Sequence, residues 1–219
     1  MSERDTIIQQ FVKFSMLHTE IPEINNYLYP KARSKTIGEK TSKFTISNYI
    51  GRYNDTLESK NYQILFYDES LISFFYEFDE NGNVSRCSLS FIPSVDGEID
   101  LSDYKMDEVV KDLLLETYGD YLRIDFDETG YKKVIHTKNH MHRGIGYRSK
   151  DCVRKEIRFP FLHLLYHLDF IYIICRYVYH VDESVLEKLT FSDQKRVILE
   201  PDEQQLLALS FNPNPLDFN

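Results

Sequence analysis

Tryptophan is absent from this chain of 219 residues, and there are only three cysteines, seven prolines and eight glycines. So little glycine and proline excludes collagen-like arrays and low-complexity linkers. Cys87, Cys152 and Cys175 are odd in number and widely spaced, with no C-x-x-C pair, which leaves neither a zinc ribbon nor a disulfide framework. No Walker loop, G-x-G-x-x-G fingerprint, G-x-S-x-G elbow or Cys–His signature occurs. The start, Met1-Ser2-Glu3-Arg4-Asp5, is charged and carries no apolar signal region, so a reduced, cytoplasmic setting is expected. Positive charge is also short: 26 basic against 35 acidic residues give a formal net charge of −9. Affinity for nucleic acid rests largely on Lys and Arg neutralising phosphates, so the isolated chain is expected to bind nucleic acid weakly or not at all.

What is present is apolar and aromatic, 42% hydrophobic with 16 Tyr and 15 Phe, which argues for a packed fold and against disorder. The stretch Phe161–Val181 resembles a membrane span, but it holds Asp169 and Arg176 together with His163, His167 and His180. Charges at a bilayer centre are costly, and Leu164, Leu165, Leu168, Ile171, Tyr172, Cys175 and Val178 recur at helical spacing. A core helix over 162–179 is therefore expected, and no membrane contact.

The N-terminus predicts a helix capped by Ser2 or Asp5, with Ile7, Ile8, Phe11, Val12 and Phe14 along one stripe. Ile21-Pro22 ends it or starts a second short helix that stops by Pro30. Residues 31–43 are basic and poor in apolar groups and read as a loop. Phe44–Arg52 and Tyr62–Tyr67 read as strands. Ile72–Asp79 and Val84–Phe91 flank Asn81-Gly82, a hairpin signal. A two-residue turn there pairs Tyr76 with Cys87 and Phe74 with Leu89 on an apolar face, and Glu77 with Arg86 on the other, up to Phe78 with Ser85 and Asp79 with Val84. Further along come a helix over 107–117, strands over 121–127, 131–142 and 154–159, and helices over 183–189 and 202–209. The fold class is α+β: an antiparallel β-meander packed against N-terminal helices and a long C-terminal core helix. One domain over 1–219 is expected, with a helical segment 1–43, a sheet 44–160 holding one inserted helix, and C-terminal helices 161–219.

Chemistry concentrates in two stretches. Alternation along Tyr121–Asp127 sets Leu122, Ile124 and Phe126 on one face and Arg123, Asp125 and Asp127 on the other. Arg beside Asp can steer an anion while the carboxylate exchanges a proton, the two carboxylates could hold Mg²⁺, and the same residues also suit a salt-bridged solvent face. Three of the seven histidines fall at 136, 140 and 142. His140 and His142 in extended chain point the same way and can chelate a metal, with His136, Cys152 or Asp125 as third ligand. No standard zinc spacing connects them, and no metal or cofactor is assigned. If the two stretches pair, Arg123, Asp125, His140 and His142 converge as candidate catalytic residues, with Arg143 and Arg158 nearby, in the manner of a metal-independent ribonuclease. His163 and His167 read as helix-flank histidines, since Leu164 stands where a zinc protease has its Glu.

The run Asn61–Phe78, then Leu89-Ser-Phe-Ile-Pro93, Tyr121–Asp127, His140-Met-His142 and Arg158-Phe-Pro160, in this order, resembles a bacterial family catalogued as a domain of unknown function numbered twenty-two ninety. The resemblance spans about Asn61 to His180. It departs where that family's His-Pro…His-Leu-His-Ile-Gly pattern meets Thr137 and Arg143, and around Ser149–Cys152. It implies an intracellular prokaryotic protein coded beside defence or toxin–antitoxin-like genes, and it transfers no catalytic residue. Three functions are expected, the third a metal-stabilised binding module. One is an accessory subunit that binds a larger nuclease or ATPase partner through tyrosine-rich surface. The alternative is a nuclease-like effector using Arg123, Asp125, His140 and His142.

Overall fold

A computed structural model describes residues 1–40, 44, 48–94, 121–129, 131–132, 136–143, 158–189, 196–201 and 204. The expected helices over 107–117 and 202–209 lie outside these residues or almost entirely so. The chain is α+β, with helices packed on one antiparallel sheet of eight strands.

Helix α1 (Glu3–Leu17) starts in a capping box: Ser2 Oγ accepts from the Asp5 N–H at 3.2 Å while Asp5 accepts from the Ser2 N–H. Ile7, Phe11 and Phe14, one turn apart, are buried, whereas Val12 is 42% exposed. After one 3₁₀ turn at His18–Glu20 the chain becomes extended, not helical. Strand β1 (Ile24–Tyr27) pairs with β3 (Ile64–Phe66), and β2 (Thr36–Gly38), inside the expected loop, pairs with β4 (Leu71–Phe78). Both are too short to show a period of their own; long-range pairing makes them strands. Gly38 has φ +75°, and a Cβ there would stand 2.0 Å from the Phe74 carbonyl oxygen. Along one edge of β4, β3 meets Leu71–Ile72 and β2 meets Phe75–Glu77. Where a strand is expected over 44–52, the described residues from Tyr49 on form helix α2 (Tyr49–Glu58), with Tyr49, Tyr53 and Thr56 buried at spacings of four and three.

The hairpin of β4 with β5 (Val84–Ile92) has the expected partners from Ile72↔Phe91 to Glu77↔Arg86. Its end differs: a bulge pairs Phe78 with Val84 instead of Ser85. The Asp79 N–H donates to the Asn83 carbonyl at 2.9 Å, and Gly82 has φ +79°. The connection is therefore a three-residue loop with glycine in the left-handed region, not a two-residue turn.

The sheet continues through β6 (Leu122–Asp127), β7 (Asn139–Arg143) and β8 (Arg158–Pro160), each antiparallel to its neighbour. Of the expected strand over 131–142, β7 covers the end and Lys132 and His136 form an isolated bridge before it, while residues 133–135 lie outside the described ones. One sheet face carries Phe74, Tyr76, Leu89, Phe91, Ile124 and Phe126 into the main core with α1 and α3 (His167–Tyr177). On the other face Leu71 and Ile92 join Tyr49, Tyr53 and Tyr121 in a smaller cluster. Helix α3 has 11 residues and starts later than residue 162. Leu164 donates to the Arg196 carbonyl and Leu162 accepts from Ile198, so extended pairing holds the backbone before it. Leu164 and Leu165 are buried without being helical, while Leu168, Ile171, Ile174 and Cys175 supply the helix's inner stripe. Asp182 caps α4 (Glu183–Leu186) through the Ser184 N–H at 2.8 Å. No helix among the described residues is long and apolar enough to cross a membrane.

Candidate functional site

Alternation along a strand and register between strands together decide which side chains meet. In β6, Ile124 and Phe126 enter the core, so Arg123, Asp125 and Asp127 take the opposite face. The β5–β6 register sets Ser88 against Asp125 and Arg86 against Asp127. The β6–β7 register sets His140 against Asp125 and His142 against Arg123. Three strands thus bring serine, arginine, aspartate and two histidines to one patch of sheet face.

Asp125 is the hub. Its Oδ1 accepts from Ser88 Oγ at 2.8 Å, and its Oδ2 accepts from Arg123 Nε at 2.8 Å. His142 Nε2 lies 3.3 Å from the same Oδ2. Burial opposes the charge on Asp125, but the His142 and Ser88 contacts and the Arg123 guanidinium outweigh it and hold the carboxyl well below the usual range. His140 donates from Nδ1 to the Thr137 carbonyl at 2.8 Å, because a carbonyl oxygen only accepts. Burial first, and the charge of His142 second, push the His140 imidazole down to about 4. The His140 and His142 rings stand edge to face at 4.5 Å, and His136 stands 4.8 Å from His140 on the other side. Possible ligand atoms of Asp125, His140 and His142 all lie within 4.8 Å of one another. Both imidazoles are 2% exposed, whereas the Asp125 side chain keeps 23%. Next along β6, Asp127 pairs with Arg86 and accepts from Thr129, which holds its carboxyl low against a burial cost.

All four candidates, Arg123, Asp125, His140 and His142, therefore meet on one face. Of the two arginines expected nearby, Arg158 occupies the register position opposite His142, whereas Arg143, one residue beyond His142, alternates to the other face opposite Leu122. His163 and His167 are not flank residues of one helix. His163 lies in a bridge with Val197, and His167, the first residue of α3, is fully buried and stacked on Phe11 with centroids 3.6 Å apart. Ser88 and the Thr137 carbonyl belong to the site and were not anticipated. The hairpin register already placed Ser88 on the polar face, but only the β5–β6 pairing brings it to Asp125.

The arrangement can hold an anion beside Arg123, exchange a proton between a carboxylate-oriented imidazole and a substrate, or hold a cation between carboxylate and imidazoles.

The model of a family described as "Uncharacterized conserved protein (DUF2290)" matches residues 19–211. No curated protein and no solved structure matches the chain.

Proposed function

The chain belongs to the DUF2290 family, and we propose that it is a nuclease-like effector whose working centre is the Asp125 cluster. The observation that carries this reading is the joint hold of Asp125 on Arg123 and His142, at 2.8 and 3.3 Å, with His140 alongside. A carboxylate that orients an imidazole beside a guanidinium is suited to phosphodiester cleavage: Arg meets phosphate charge and His142 moves the proton of the attacking group. The low exposure of both imidazoles favours a single phosphate presented by a flexible strand over a rigid duplex. The test is incubation of the purified chain with end-labelled single-stranded RNA, single-stranded DNA and duplexes of both. Cleavage of a single-stranded substrate that His142→Gln abolishes supports the reading. No cleavage of any of them by a folded chain contradicts it.

A second reading, a cytoplasmic accessory subunit of a bacterial defence or toxin–antitoxin-like system bound to a larger nuclease or ATPase, is favoured by tyrosines at the surface. Tyr67 and Tyr177 are 69% and 67% exposed on a chain of net charge −9, and tyrosine is enriched at interfaces. Co-purification with the product of a neighbouring gene, lost in Tyr67→Ser with Tyr177→Ser, is its expected result. A chain that elutes alone from its native cells opposes it.

A further inference from the structure

We propose that the cluster binds one divalent transition-metal ion of the zinc class, through Asp125, His140 and His142. Two imidazoles and one carboxylate form a nitrogen-rich set that suits Zn²⁺ and its first-row neighbours and not Mg²⁺ or Ca²⁺, which favour oxygen. Their ligand atoms lie within 4.8 Å of one another. Bonds of about 2.0–2.2 Å around one ion need ligand atoms roughly 3.4 Å apart, a contraction of at most about 1.4 Å that side-chain rotations provide.

The second, independent support is the shell behind the ligands. Ligating histidines commonly donate their other ring N–H to a carbonyl or carboxylate, which selects the ligating nitrogen and steadies the ring. His140 does this with the Thr137 carbonyl at 2.8 Å, which leaves Nε2 to ligate. Asp125 is steadied by Ser88 and Arg123, one on each oxygen. The ligands stand on adjacent strands of a paired sheet rather than on loops, so their spacing is held by backbone hydrogen bonds. Both histidines are 2% exposed, which suits a ligand of atomic size. Three protein ligands leave coordination positions for water, as catalytic and not structural zinc sites do.

The inference stands on ligand geometry and goes beyond the nuclease reading, which needs no ion. If both hold, an ion-bound water takes over the proton-transfer role given there to His142. The two are separable. Metal binding without phosphodiester cleavage removes the nuclease reading and keeps the site, and cleavage by a folded chain that takes up no stoichiometric Zn²⁺ or Co²⁺ does the reverse.

The experiment uses the full chain, stripped with chelator, dialysed, and titrated with Zn²⁺, Co²⁺ and Mg²⁺ by calorimetry and thermal melting. One equivalent of Zn²⁺ or Co²⁺ should bind and raise the melting temperature, while Mg²⁺ does neither. His140→Ala and His142→Ala should each weaken Zn²⁺ binding at least a hundredfold. Ser88→Ala, which removes one supporting hydroxyl and spares the fold, should weaken it about tenfold. His18→Ala, remote in sequence and absent from the cluster, should bind as the native chain does. Circular dichroism checks the fold of each variant. The proposal is overturned if the folded native chain takes up no stoichiometric Zn²⁺ or Co²⁺, or if folded His142→Ala and Ser88→Ala both bind Zn²⁺ as tightly as it does.

Discussion

His142 stands directly across the β6–β7 pair from Arg123, yet its Nε2 meets the diagonal neighbour, Asp125, at 3.3 Å. Arg123 turns along its own strand to the same carboxylate oxygen. One carboxylate oxygen therefore serves two side chains from two strands. It does so because alternation places both on the polar face and register places them within one residue pair of each other.

Removal of that carboxylate should be costly. Asp125→Ala removes the carboxylate met by both the Arg123 guanidinium, whose side chain is only 14% exposed, and the buried His142 imidazole. A broken buried pair typically costs about 3–5 kcal/mol. Urea denaturation of the variant should show a loss in that range. A loss below about 1 kcal/mol, the scale of an exposed ion pair, would mean that the cluster does not help to hold β5, β6 and β7 together.

His167 predicts how stability responds to acid. Desolvation pushes its imidazole down to about 3 from an ordinary value of 6.5, in a pocket formed with Phe11 and Tyr76. Between those two values the unfolded chain binds a proton that the folded chain refuses. The stability tied to neutral His167 is therefore complete above about pH 6.5 and falls as pH drops toward 3, by up to about 1.4 kcal/mol per pH unit. His167→Phe should flatten the stability–pH curve by one proton's worth of slope in that window. Identical slopes for the two proteins would contradict the buried, neutral assignment.

Gly38 should tolerate nothing larger. Its φ of +75° strains any L side chain, and a Cβ would sit 2.0 Å from a backbone oxygen of β4 that cannot move without breaking the sheet. Gly38→Ala should cost well over the roughly 1 kcal/mol of an ordinary glycine replacement, with lost expression or a collapsed melting temperature. Native stability in that variant would show that β2 does not pack on β4.

The isolated chain should fail to retain duplex DNA or RNA at physiological salt, because −9 of net charge gives no field for phosphates. Fluorescence anisotropy with labelled duplexes measures this. Nanomolar binding would show that a local basic surface overrides the global charge.

Legibility in the sequence followed length and pairing range. The Ile72–Phe91 hairpin and the faces of Leu122–Asp127 were readable because each alternates over six or more residues, and the hairpin partners are close in sequence. Strands β1 and β2, four and three residues long, have no period to read, and their partners lie some forty residues away. Helix α2 is hidden because residues 44–52 read as a strand, while its buried Tyr49, Tyr53 and Thr56 become periodic only beyond residue 52. The helix signal begins too early because Leu164 and Leu165 are apolar in extended chain, where Leu162 pairs with Ile198 and Leu164 with Arg196. At the site, the faces of Asp125, His140 and His142 followed from alternation. The place of Ser88 did not, because residues 93–121 separate β5 from β6 and no period bridges such a gap.

The most direct measurement of the central claim, that this cluster works and does not merely pack, is a comparison of cleavage rate with unfolding free energy for the native chain and Ser88→Ala. Ser88 donates one hydroxyl to Asp125 at 2.8 Å, so its loss should cost only about 1 kcal/mol of stability. If the centre is functional, single-turnover cleavage of single-stranded substrate should fall at least tenfold in the folded variant, because Asp125 loses one of its anchors. Equal rates in the two proteins, or no cleavage by either, would contradict the account.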